Sequence, residues 1–263
     1  MPSDHTLRDY PHFAPATSRS ALRQLQSALR DNRLELFFRA LRETATGGNT
    51  VLTGCELCIG LRDADGTLSC GAELDTLIER YQMGLEVNRR AIEMAAAALR
   101  DARSPLAGFD LALLPLPQQA LADRTMPQWL DEFLREHAQI APRLGFTLDA
   151  AALAGDLIAG RYVIGQIGRR GCRFMLDDLG VSGAGLELLR FQHVEYLGLR
   201  GDLVHQVAHD SAAFETVLGL CRITAACNIA TVAREVDDAA LAATLGRMGV
   251  NYVLGAATQA LRK

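Results

Sequence analysis

Two adjacent carboxylates, Asp177 and Asp178, end the run Cys172-Arg-Phe-Met-Leu and are followed by Leu179 and Gly180. A short, mostly apolar run of this kind reads as a buried strand, and the glycine as the turn that stops it. Acids at the C-terminal end of a strand lie where α/β barrels keep their chemistry. A carboxylate pair there suits a divalent cation, because hard oxygen ligands offset the cost of crowding like charges. Other candidate ligands are sparse. Cys55 and Cys58 form a Cys-x-x-Cys pair, but no second pair or histidine-rich neighbour completes a four-ligand set. Residues three apart in a strand point to opposite faces, so these thiols are expected to stay apart and to be structural. His205 and His209 stand one helical turn apart without a third ligand, which fits a solvated helix face.

The bulk properties narrow the class. The chain has 263 residues, 49% hydrophobic and 22% charged, with a formal charge of −4. That is an ordinary globular composition, and the negative balance argues against a nucleic-acid polymer as partner. No apolar run approaches the ~18 residues that cross a bilayer, so no membrane partner is expected. Residues Met1 to Ser20 lack the apolar core of a signal peptide. A cytoplasmic location follows, with cysteines 55, 58, 70, 172, 221 and 227 reduced.

The elements that must position the acids follow from periodicity. Residues 1–17, rich in Pro and His, read as a flexible tail, and 18–263 as one barrel domain. Ser18 to Arg30 is expected to be a helix with Leu22, Leu25 and Leu29 on one face. Strand Leu34–Leu41, a turn at Gly47-Gly48-Asn49 and strand Val51–Ile59 should form an antiparallel hairpin, because so short a link cannot make a parallel crossover. Helices then alternate with strands. Helices are expected at 73–80, 87–99, 127–137, 157–169, 185–190, 213–226 and 239–248. Strands are expected at 109–114, 144–148, 173–176, 196–199, 230–232 and 252–254. That many βα units in one chain favour a closed parallel barrel.

Several segments resemble one family in order and at matching separations. Gly54-Cys-Glu56-Leu57-Cys58 resembles the Gly-Ala-Glu-Ala-Leu segment of the EAL-domain family, the bacterial phosphodiesterases of cyclic di-GMP. Asp177-Asp178-Leu179-Gly180 resembles its Asp-Asp-Phe-Gly, and Ile78-Glu-Arg-Tyr81 with Asn88-Arg89 resembles its Ala-Glu-Arg-Tyr … Asp-Arg-Trp helix. Thr231-Val-Ala-Arg234-Glu-Val-Asp237 resembles Thr-Ile-Ala-Glu-Gly-Val-Glu, and Gly249-Val-Asn-Tyr252 resembles Gly-Val-Asp-Tyr. The resemblance implies a modified TIM (β/α)8 barrel with an antiparallel first strand. It also implies hydrolysis of cyclic di-GMP with two Mg²⁺ or Mn²⁺ ions, which activate a water and hold the scissile phosphate.

Most positions that the implied chemistry needs carry another residue. Glu56, Asp177 and Asp178 align with retained acids. Pro115 stands for a ligand Asn, Thr147 for a Glu, Gly198 for the Lys of Lys-Ile-Asp, Arg200 for that motif's Asp, Arg234 for a Glu and Leu254 for a Gln. Relative to the family pattern this makes the site more positive by roughly four charges, at about 4 kcal/mol per close pair for an effective dielectric near 20. No bound metal or other cofactor is therefore expected, and Mg or Mn belongs only to a site that still works. A guanidinium forks well onto carboxylates, so Arg200 or Arg234 is expected to replace the ions as counter-charge to Glu56 and Asp177. Among the family's ligand contacts a Gln is replaced by Arg39 and an Arg by Gly60, with Arg62 two residues on.

No catalytic residues are thus expected; Glu56, Asp177 and Asp178 are vestiges. The leading reading is a signalling protein that acts in trans by binding another bacterial regulatory protein, with helix Tyr81–Leu99 or the tail as candidate surfaces. The alternative is a receptor that binds cyclic di-GMP without cleaving it, through Arg39, Glu56, Arg62, Asp177, Arg200 and Arg234. A more distant alternative is weak phosphodiesterase activity. The loop from Gly180 to Gly185 has lost the family's Thr, Tyr and Ser hydroxyls, which implies that its coupling to a dimer interface is abandoned.

Overall fold

A computed structural model describes residues 18–44, 52–62, 68–70, 72–123, 125–179, 183–255 and 259–260. The expected tail before Ser18, the Gly47-Gly48-Asn49 turn and residues 180–182 of the loop after the acids lie outside them. Helix α1 (Ser18–Arg30) precedes the antiparallel pair β1 (Leu34–Glu43) and β2 (Leu52–Arg62), and the short β3 (Leu68–Cys70) returns along β2. Helices α2 (Ala72–Arg80) and α3 (Gly84–Arg100) lead to β4 (Ala112–Pro115), and α4 (Gln119–Ala122) with α5 (Thr125–Glu136) to β5 (Leu144–Asp149). Helices α6 (Ala150–Gly155) and α7 (Leu157–Gly168) lead to β6 (Arg173–Asp177), and α8 (Gly183–Leu188) to β7 (Val194–Leu199). Then follow α9 (Gly201–Gln206), α10 (Ser211–Ala226), β8 (Ala230–Arg234), α11 (Ala239–Met248), β9 (Tyr252–Leu254) and β10 (Gln259–Ala260).

Strands β2, β4, β5, β6, β7, β8 and β9 pair in parallel in that order, and β1 closes the ring antiparallel to both β9 and β2. This is the α/β barrel with an inverted first strand that the alternation and the hairpin predict. Side chains alternate across each strand. Leu41, Leu111, Leu113, Met175, Val232 and Leu254 fill the interior, whereas Phe38, Cys55, Leu114, Phe146, Phe174 and Leu197 face outward into a larger core under the helices. The hairpin continues past the barrel, where Leu34 and Leu61 join Leu25 and Ala28 of α1 and Leu74 and Ile78 of α2 in a separate small core.

Three short helices, α4, α6 and α9, are absent from the sequence expectation. They are one or two turns long, too short for a hydrophobic period to stand out. Local caps carry α6 and its successor: Asp149 accepts from the Ala152 N–H and Asp156 from the Ala159 N–H. The expected strand at 109–114 shifts to Ala112–Pro115, because a 3₁₀ turn at Pro105–Gly108 occupies the approach. Helix α3 turns its apolar face inward and presents a mainly polar face outward. Val87, Ala91, Ile92, Ala95, Ala96 and Leu99 are all buried, and among the described residues the exposed large apolar side chains are Ile158, Tyr162, Leu186 and Ile223 on α7, α8 and α10. No described helix is long and apolar enough to cross a membrane.

Cys55 is buried behind β2 whereas Cys58 shares the inner side with Glu56, so the thiols point apart as strand geometry requires. Burial pushes the Cys55 and Cys172 thiols up to about 12 and that of Cys58 up to about 11. Reactivity follows the thiolate. With Cys70 changed to serine to leave only the described thiols, native protein is expected to consume one equivalent of a thiol reagent quickly, at the exposed Cys227. The other four should react only on unfolding, as read by mass mapping of the labelled protein. His205 and His209 are both exposed, but α9 ends at Gln206 and His209 lies in the turn after it, so the two do not share the expected helix face.

Candidate functional site

The inner positions near the C-terminal ends of the strands converge on one cluster. Glu56 comes from the middle of β2 and is only 5% exposed. Asp177 ends β6 and Arg234 ends β8. The Arg234 guanidinium lies between the two acids. Its Nε donates to Asp177 Oδ1 at 3.0 Å and its Nη2 to Asp177 Oδ2 at 2.6 Å. Towards Glu56, Nη2 donates to Oε1 at 2.5 Å and Nη1 to Oε2 at 3.2 Å. On the other side Arg39 donates from Nη2 to Glu56 Oε2. Two guanidiniums and two carboxylates therefore cancel formally at the barrel mouth.

The electrostatics follow from burial. Removal from water pushes the Asp177 carboxyl up to about 6, against the attraction of Arg234 and with help from the Glu56 charge. Burial works against the Arg234 charge, yet Glu56 and Asp177 together hold its pKa above the usual value. Arg39 is treated alike: desolvation lowers it and Glu56 more than restores it, leaving it raised.

The structure separates the sequence candidates. Of the two arginines expected as counter-charge, Arg234 meets Glu56 and Asp177, and Arg200 does not. Arg200 begins α9 outside the mouth, where Nη1 donates to Asp178 Oδ1 at 3.2 Å and Nη2 to Asp202 Oδ2 at 2.6 Å. The acid pair is split as well. Asp178 adopts a left-handed φ of 55°, which Asp tolerates better than most residues, and is half exposed towards Arg200 rather than beside Asp177. Arg62 lies far along the hairpin, forked onto Glu35 at 2.5 and 2.9 Å, and takes no part in the cluster.

The remaining inner positions offer little to a cation. The Pro115 side chain has no donor atom, and its carbonyl accepts from Asn88 Nδ2 at 2.6 Å. Thr147 is buried with a neutral Oγ1 that lacks a hydrogen-bond partner among the described residues. Leu254 belongs to the apolar interior. Gly198 supplies no side chain at all. Among the described residues no group of three or more His, Cys, Asp or Glu is placed to hold a metal ion. A two-ion centre does not fit this donor set, because the position facing both acids carries a fixed positive charge.

The role of Arg39 is the contact that reasoning from residue types missed. Arg39 lies directly opposite Glu56 in the β1–β2 register. Directly opposed side chains in a hairpin touch, but the register shifts between Leu41 and Arg42, so the pairing is not legible from the link between the strands alone.

The EAL domain family model matches residues 22–259. The chain belongs to the EAL-domain family. Cyclic di-GMP phosphodiesterase PdeB of Shewanella oneidensis is 22% identical over 235 residues, 88% of this chain but 27% of that protein. This chain therefore spans about a quarter of the curated relative it matches. LapD of Vibrio cholerae, as an S helix-GGDEF-EAL structure in its apo form, superposes with a TM-score of 0.81 at 14% identity, covering 93% of this chain and 58% of that one. The EAL domain of FimX from Pseudomonas aeruginosa, bound to c-di-GMP, gives 0.78 at 18% identity over 91% of this chain and 96% of that one. FimX EAL from Xanthomonas citri, in complex with c-diGMP, gives 0.79 at 18% over 90% and 91%. At these identities the structural likeness speaks for the fold alone.

Proposed function

We propose that this chain is a catalytically silent EAL-domain protein of the bacterial cytoplasm that regulates by binding another protein in trans. The observation that carries the reading is the Arg234 fork across Glu56 and Asp177. In a two-ion phosphodiesterase, carboxylates converge so that cations can lower the pKa of a water and take up phosphate charge. Here the same carboxylates already neutralise a guanidinium, and no residue of the cluster is free to deprotonate a water. Arginine suits such an embedded position because it stays charged and binds carboxylates bidentately. A barrel relieved of catalysis still offers a rigid surface, and fold by itself does not assign chemistry.

A second reading, a receptor that holds cyclic di-GMP without cleaving it, draws support from the FimX EAL-domain structures, which are bound to that ligand. Against it, Arg39 and Arg234 already have carboxylate partners, so a phosphate must displace an ion pair before it binds. One experiment separates the readings. Incubation with cyclic di-GMP and either Mg²⁺ or Mn²⁺ is expected to give no linear dinucleotide, and the melting temperature should shift by less than about 1 °C. A ligand present at about 100 times its Kd would add about 2.7 kcal/mol, which is a rise of roughly 5 °C or more for a domain of this size. Such a rise without product would establish the receptor reading. Product formation would overturn both.

A further inference from the structure

Gly198 is a buried glycine on the inner face of β7, and its backbone does not explain it. Its φ is not left-handed, unlike those of Gly171 and Gly249. Glycine inside a strand weakens it, and on an inner barrel position it gives up a packed side chain. The explanation lies beside it. Leu176 pairs with Leu197, so Asp177 runs alongside Gly198 in the β6–β7 register. A Cβ added at 198 would stand 1.9 Å from Asp177 Oδ1 and 3.1 Å from its Cγ, with Arg234 Nε 3.4 Å away. No real Cβ tolerates an oxygen at the first of those distances. The Asp177 carboxylate occupies the space of the missing side chain, and from there it meets both Nε and Nη2 of Arg234.

We infer that Gly198 is the positioning residue that commits the barrel mouth to a guanidinium plug: it is the open seat into which Asp177 turns to grip Arg234. The inference rests on the metal-free reading above and deepens it. Arg234 alone does not build the plug, since any side chain at 198 drives Asp177 off the fork and leaves the guanidinium held from the Glu56 side only. Gly198 and Arg234 are two halves of one change. The positions aligned to a lost lysine and a lost glutamate are thus coupled in space rather than independently decayed.

A double-mutant cycle tests this. Gly198→Ala is made in the wild-type chain and in an Asp177→Ala background, and all four proteins are melted at pH 7.5. Gly198→Ala is expected to lower the melting temperature by roughly 5 °C when Asp177 is present and by less than about 1 °C when it is absent, because the overlap disappears with the carboxylate. A glycine needed only for strand packing would penalise alanine equally in both backgrounds, and that result would overturn the inference. So would alanine being harmless in both. If Gly198→Ala alone does not fold, recovery of a cooperative melt in the double variant supports the coupling and failure there refutes it. The cycle reads stability only, so turnover of cyclic di-GMP by the wild-type chain would sink the functional reading through a different measurement.

Discussion

Replacing Arg234 with methionine is expected to remove about 3–5 kcal/mol of stability at pH 7, the usual cost of stranding buried charges by deleting their partner. The loss would be read by urea unfolding. Methionine keeps much of the volume, so the effect is electrostatic. Glu56 would keep Arg39, but Asp177 would keep no charged partner among its contacts in the described cluster. For a domain whose total stability is typically 5–15 kcal/mol this is a large share. The pH dependence identifies the cause. Asp177 has a folded-state pKa raised to about 6, above the ~3.9 of an unfolded Asp. Its contribution is therefore fully present below pH 4 and is lost as pH rises through 6. Without Arg234 the carboxyl rises further, so the variant goes on losing stability above pH 6 where the wild type has finished. The deficit should grow from pH 6 to pH 8. A deficit independent of pH would mean that Arg234 acts through packing, and the account of the mouth as a charge plug would fail.

The same arrangement shows what the amino-acid sequence discloses and what it hides. The alternation of ten-residue helices with short apolar strands fixes the barrel, because each βα unit buries a sheet face under a helix. The inverted first strand is legible from the short link between Leu41 and Val51 alone. That Arg234 stands where the resembled motif has a Glu is legible as a charge reversal, but its consequence is a matter of reach. Arg200 is as plausible on sequence, and only the geometry puts it at the N-terminus of α9, facing Asp178 and Asp202. Alternation along β6 already sends Asp177 and Asp178 to different sides, but the left-handed φ of Asp178 and its contact with Arg200 are not reported by periodicity. Arg62 fails as a mouth residue because β2 runs six residues beyond Glu56, carrying it onto the hairpin that α1 and α2 cover. Residue type marks which positions differ from the family pattern; the register of the strands decides what those residues meet.

Replacing Arg143 with methionine is expected to cost about 3 kcal/mol, since hydrogen bonds to charged groups contribute ~1.5–3 kcal/mol each and do not add fully. Nothing in the sequence marks this residue, which sits in the 3₁₀ turn before β5. Its guanidinium collects carbonyls at the ends of neighbouring elements, including Leu106 O, which also accepts the Phe109 N–H that closes the 3₁₀ turn at Pro105–Gly108. Nη1 takes Leu99 O at 2.9 Å, Nη2 takes Leu106 O at 2.8 Å and Phe109 O at 2.9 Å, and Nε takes Phe109 O at 3.1 Å. One side chain thereby ties the end of α3, the 3₁₀ turn after it and the entry to β4 to the start of β5. This is the floor of the barrel, opposite the mouth, and that end of such folds serves stability rather than chemistry. Its partners are carbonyls, which do not titrate, so the deficit of the Arg143 variant should stay constant between pH 5 and pH 8. The two arginines thus separate by one measurement, unfolding free energy against pH: a level offset for the floor and a rising one for the mouth. Equal profiles would mean that charge at the mouth is no more than packing, and that Glu56, Asp177 and Arg234 are held together for the barrel's stability alone.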